Sequence, residues 1–185
     1  MLNLRIFLFA SILIVLATVL YAADGPQKEF YSKPESIISE VKLRGAKSVV
    51  VDLTKDWNVW DSICDKVATG NSTWLKAAVA LQPGTDAGSS ETMDLALGEA
   101  LEHSPENVFR IAIPVFEIES ICSGPDVDSS RYDSYELSLK AINLRIKKVA
   151  AIKNQKLKEM SKDCIKHLEE SKKGVAEFYE VDKKK

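Results

Sequence analysis

The chain has 185 residues, 45% hydrophobic and 28% charged, and its 25 basic and 27 acidic side chains leave a formal net charge of −2. This is a length suited to one domain once a leader is removed. Charges of both signs are interspersed, which argues against nucleic acid as a partner.

Met1-Leu2-Asn3-Leu4-Arg5 begins the chain with one arginine, and an apolar run follows from Ile6 to Leu20, broken only by Ser11 and Thr18. Tyr21-Ala22-Ala23 then supplies small residues at the exit, completing the pattern of an export signal. The run is shorter than the ~20 residues of a spanning helix, and the chain turns polar at Asp24-Gly25-Pro26. No cysteine follows it, which excludes a bacterial lipoprotein anchor. The expected organisation is a signal peptide over residues 1–22, cleaved after Ala22 although Leu20 stands where a small residue is preferred. One all-helical domain should cover 23–174, and a frayed basic tail 175–185. No stable membrane anchor is expected after cleavage.

Ser32-Lys33-Pro34-Glu35 reads as a capping box with proline in the first turn. It should open a helix through Ile37, Ile38 and Val41 toward Gly45. Val49, Val50, Val51 and Leu53 could form a strand, but no partner strand of similar quality lies nearby, so a second helical piece is expected. Asp56 can cap a helix whose Trp60, Ile63, Cys64, Val67 and Ala68 follow helical spacing to Gly70. Asn71 or Ser72 caps the next, with Trp74, Leu75, Ala77, Ala78, Val79 and Leu81, apolar nearly all round and therefore deeply buried. Pro83-Gly84-Thr85-Asp86-Ala87-Gly88 is a turn-rich link. Met93, Ala96, Leu97, Ala100 and Leu101 repeat the helical stripe.

Ser104-Pro105 opens a helix over Val108, Phe109 and Ala112, limited by Pro114. Val115 to Cys122 is ambiguous between helix and extended chain, and Asp126-Val127-Asp128-Ser129-Ser130 is a loop. Tyr135, Leu139, Ile142, Ile146 and Val149 mark a long helix. Leu157, Met160, Cys164, Ile165 and Leu168 mark the last, which should fray beyond Gly174. The lysines and Arg145 of residues 140–185 read as a solvated helix face and frayed tail, with an anionic surface as the alternative target. Short links predict antiparallel neighbours in an all-α bundle of helical hairpins, solenoid-like at most between 56 and 112.

Cys64, Cys122 and Cys164 would meet an oxidising compartment after export, leaving one pair and one thiol. Cys64 lies in an apolar helical stripe and suits a buried, unpaired residue. The expected bond is therefore Cys122–Cys164, worth about 4 kcal/mol in the chain-entropy picture.

No reaction centre emerges. His103 and His167 have no second ligand at metal spacing. A calcium loop starting at Asp126 would place Arg131 where glycine is needed and Leu137 where glutamate is needed. The Gly84–Ser90 segment leads into a helix but lacks the phosphate-binding lysine, and Asp86 would repel an anion. No serine stands in a nucleophile elbow. Asn71-Ser72-Thr73 matches a glycosylation pattern that the helix cap also explains. The expectation is a protein that is not an enzyme and holds no cofactor or metal. Trp57, Trp60 and Trp74 are the residues that could line a ligand or partner surface together with Asp86, although core packing is the ordinary use of such tryptophans.

Gly70-x-x-x-Trp74-Leu75, the Pro83–Gly88 turn, Ala100-Leu101-x-x-Ser104-Pro105-x-x-Val108 and the pair Cys122 and Cys164 together resemble a group of small exported bacterial proteins of unassigned function. The resemblance spans roughly residues 57–168. It implies a periplasmic setting and the same disulfide, and it carries no catalytic residue. The expected role is an exported, periplasmic or secreted protein that acts by binding another envelope protein, of immunity, inhibitor or accessory type. A carrier with an interhelical cavity at the tryptophans, and a hydrolase built on Gly84–Glu91, are the alternatives.

Overall fold

A computed structural model describes residues 31–127 and 129–182. The export-signal expectation for residues 1–22 therefore lies outside the described residues. Among them there is no strand. The helices are α1 (Pro34–Arg44), α2 (Ala46–Thr54), α3 (Trp57–Ala68), α4 (Ser72–Leu81), α5 (Ala87–Ala100), α6 (Pro105–Ile111), α7 (Ile118–Ile121), α8 (Tyr135–Ala150) and α9 (Lys158–Asp182). Single 3₁₀ turns follow α4 and precede α9.

Short polar side chains set the starts. Asp56 accepts from the amide of Asn58 at 3.0 Å, and Asn71 from that of Thr73 at 2.9 Å, each satisfying a donor the helix leaves open. The first helix departs from its expected capping box. Its N-cap is Lys33 with no side-chain cap, and Pro34 at the first helical position supplies the fixed φ instead. The β-branched run 49–51 is helical, as the absence of a partner strand implies, and it buries Val49, Val50 and Leu53.

Packing is not only between chain neighbours. α1 lies on α4 and α3 lies on α5, so the first five helices interleave rather than form successive hairpins. Glycines permit close approaches at the turns after α3 and α4. Gly70, at φ 71°, turns the chain between α3 and α4, and a Cβ there would come within 2.7 Å of Ser104 Cβ. A Cβ on Gly84 would meet the Ala46 carbonyl carbon at 2.3 Å, which seats the turn after α4 on the start of α2.

The most extensive helix pair is α8 against α9, an antiparallel hairpin at the C-terminal end. One hydrophobic core runs from Tyr31 to Val175 and includes Trp60, Phe109, Ile121, Ile142 and Leu168. The expected frayed tail is corrected over most of its length. α9 continues to Asp182, Val175 is buried, and the Tyr179 hydroxyl donates to the Tyr132 carbonyl at 3.0 Å. The apolar repeat does not stop at Gly174, so packing on α8 carries the helix through it. Residues 183–185 lie outside the description.

The disulfide joins Cys122 and Cys164, with Cα atoms 5.2 Å apart, and both residues are fully buried. It ties the end of α7 to α9. Replacing both cysteines by alanine should cost about 2–4 kcal/mol in urea denaturation. A loss under ~1 kcal/mol would show that packing alone holds this junction.

Asp94, half-buried on α5, has its carboxyl pushed up to about 6, chiefly by burial and secondarily by the charge of Glu117. A raised acid favours the folded state at low pH, so its contribution is full below about pH 4 and lost as pH rises through 6. Asp94→Asn should therefore unfold at higher denaturant than the parent at pH 7.5, and the advantage should vanish at pH 3.5. Equal midpoints at both pH values would refute the assignment.

Candidate functional site: a polar cleft over a buried arginine

The buried stripe of α8 is Ser138, Ala141, Ile142, Arg145 and Val149. Arg145 thus occupies a position where helical spacing calls for an apolar residue, and its side chain is only 1% exposed. Its Nε donates to Glu102 Oε1 at 3.0 Å and its Nη1 to the Ser123 carbonyl at 3.3 Å. Space for the guanidinium exists because residue 98 is glycine. A Cβ there would stand 3.1 Å from Arg145 Nη1 and 2.9 Å from the Ile121 carbonyl oxygen. The arginine therefore connects α8 to the end of α5 and to the segment after α7. Removing one member of a buried pair of this kind typically costs about 3–5 kcal/mol, because the other charge is left without compensation.

Nη2 is buried and has no hydrogen-bond partner. An unpaired buried donor costs about 1–3 kcal/mol, so native interiors rarely keep one. The other side-chain polar atom in this condition among the described residues is Ser129 Oγ. Both residues line the same cleft, of about 390 Å³, between α3, α5 and the loop before α8.

The cleft wall carries Asp61 and Asp65 from α3, Thr92 and Glu99 from α5, and Arg131 and Tyr132 from the loop. Arg131 pairs with Glu99 and, at 3.7 Å, with Asp65, reaching from the loop to both helices. Asp61 forms no hydrogen bond or ion pair among the described residues. The Tyr132 hydroxyl is held protonated above its usual range, first by burial and then by the charge of Glu99. The arrangement is bipolar, with open carboxylates at the mouth and donors without acceptors below. It can hold a ligand that has both a positive group and an acceptor.

The residues singled out by sequence do not assemble into one site. Trp60 is fully buried in the core and its Nε1 donates to Thr92 Oγ1 at 2.7 Å. Trp57 is 48% exposed at the start of α3, and Trp74 is partly buried under Lys66, whose Nζ lies 5.0 Å from the ring centre. None of the three lines a described cavity. Asp86 is the N-cap of α5. Its carboxylate accepts from the Ser89 amide at 3.0 Å and the Ser89 hydroxyl at 2.6 Å, which hold it below the usual carboxylate range. Ser89 is buried in this capping box, so its hydroxyl is committed to helix initiation. No group of three or more His, Cys, Asp or Glu side chains that could hold a metal occurs among the described residues.

The sequence reading placed Arg145 on a solvated face, and this is corrected. The available clue was its spacing, three residues after Ile142 and four before Val149. Nothing in the sequence announces the unpaired Nη2, which depends on where Glu102 and Ser123 arrive.

No protein-family model matches the chain, and no curated protein or solved structure shows significant similarity to it.

Cys64 also borders the cleft, yet its thiol is pushed up to about 12 by burial. Asp61 and Asp65 add to that, while a hydrogen bond to Thr92 opposes it. A thiolate is the reactive form. Iodoacetamide at pH 8 should leave Cys64 unlabelled in the folded protein and label it fully in urea. Rapid labelling without denaturant would contradict this environment.

Proposed function

We propose that this protein is exported and acts as a binding protein of an oxidising compartment, with the cleft between α3, α5 and the loop before α8 as its recognition surface. The observation that carries the reading is the pair of shielded, unpartnered polar atoms, Arg145 Nη2 and Ser129 Oγ, in one polar cleft. A domain gains nothing in stability from such atoms, whereas a bound partner would satisfy them.

The disulfide supports the compartment, because such bonds persist where thiols are not kept reduced. The apolar leader read from Ile6 to Leu20 supports export by the same route. No described helix is long and apolar enough to cross a membrane. The partner class is another envelope protein that places a polar segment in the cleft. A carrier role centred on the tryptophans has less support, since Trp60 is part of the packed interior and Trp57 and Trp74 point to separate environments.

The test is affinity capture from the envelope of the organism that makes the protein, with the parent and an Arg131→Glu variant compared side by side. Arg131 is largely exposed, so the variant should fold, as circular dichroism can verify. A stoichiometric partner retained by the parent and lost, at least ~10-fold, by the variant is the expected outcome, since reversing a charge in contact with a partner costs well over 1.4 kcal/mol. Equal retention by both would remove the cleft from the binding surface.

A further inference from the structure

We infer that the cleft recognises a short peptide with both ends free, its carboxylate accepting from Arg145 Nη2 and Ser129 Oγ and its ammonium facing Asp61 and Asp65. This rests on the reading of the cleft as a recognition surface and adds a small peptide, distinct from the protein partner, as a ligand of the same cleft.

The donors define one half of the ligand. Arg145 keeps a fixed orientation because Glu102 and the Ser123 carbonyl hold two of its nitrogens, which leaves Nη2 as the corner able to serve an acceptor. Ser129 Oγ adds a second polar atom in the same cleft. A carboxylate has two oxygens and can take one hydrogen bond from each.

The charges define the other half. Asp61, Asp65, Glu99 and Asp126 line the cleft against Arg131 and Arg145, so acids outnumber bases. A phosphate or other polyanion would be repelled by that wall, whereas a ligand with its own cation would be drawn to it. Glu99 is taken by Arg131, and Asp65 only loosely at 3.7 Å. Asp61 and Asp65 are the exposed carboxylates left for an ammonium. A volume of about 390 Å³ falls in the range of small-ligand sites and holds a few residues of peptide.

Entry needs the loop to part from α3, because Nη2 is covered. What ties the loop across the mouth is Arg131, more than half exposed, on Glu99 and Asp65. Exposed ion pairs of this kind are weak, so the loop can open at little cost.

The probes are trialanine, its N-acetyl form, its C-terminal amide and inorganic phosphate, titrated calorimetrically into the intact protein at low salt. Trialanine should bind, with either capped form weaker by ~10-fold or more and phosphate without measurable heat. Ser129→Ala should weaken trialanine ~5-fold or more, and Asp61→Asn should weaken it while leaving the N-acetyl form unchanged. Both variants alter residues outside the core, so they keep the test valid even if an Arg145 variant fails to fold. Equal affinity for free and capped peptides, preference for phosphate, or no binding of any probe at millimolar concentration overturns the inference. If the envelope partner of the parent protein is nonetheless lost by the Arg131→Glu variant, the binding reading stands and only the ligand chemistry falls. If no partner is captured either, both fall.

Discussion

Arg145 and the Cys122–Cys164 bond meet at a single junction, and the C-terminal hairpin depends on it. α8 and α9 pack mainly on each other, and their hold on the remaining helices passes through α6, the four-residue α7 and the chain around it. At that place the disulfide anchors α9 to the end of α7, while the guanidinium of Arg145 reaches from α8 to Glu102 and to the Ser123 carbonyl. Gly98 lets both come close, since any side chain there would press on Ile121 and Arg145 together. One covalent bond and one buried charge thus replace the broad apolar interface that a helix as short as α7 cannot provide.

The same junction shapes the cleft. The loop before α8 starts just beyond Cys122 and ends at the helix that carries Arg145, so both of its ends are fixed. Between them it faces α3 and α5 and closes over Arg145 with Ser129 and Tyr132. The Tyr132 carbonyl receives hydrogen bonds from Ser138 and Tyr179, which binds the end of the loop to both helices of the hairpin. In the proposed reading, structure and recognition share one residue. Arg145 uses two nitrogens to hold the fold and leaves the third without a partner, and the cost of burying its charge is offset by Glu102.

Much of the fold was legible because local rules and tertiary packing agree. Asp56 and Asn71 act as the caps their positions suggest, and the stripe through Trp60, Ile63, Cys64 and Val67 is buried as its period requires. The cysteine pairing followed from the same logic, since a thiol on that stripe has no neighbour to oxidise. Three readings failed for physical reasons. The Ser32–Glu35 capping box gives way to a start at Lys33 with no side-chain cap, where Pro34 already fixes the first turn. The end, with Gly174 and its lysines, is expected to fray, but Val175 and Tyr179 repeat the contacts of α9 on α8, and one glycine costs only ~1 kcal/mol in a helix so held. Arg145 looked like one more solvated cation, because composition counts charges without regard to the face they occupy.

By itself the sequence determined the helical class, most of the element order, the caps at Asp56 and Asn71 and the disulfide pairing, which depend on residues near in the chain or on a simple period. It also determined that no familiar catalytic or metal-binding motif is present. Only the tertiary structure decided where the cleft lies, because Asp61, Thr92, Ser129 and Arg145 come from three helices and a loop far apart in the chain. Whether a buried donor has a partner is a matter of angstroms between those segments, and no pattern along a single strand of residues encodes it.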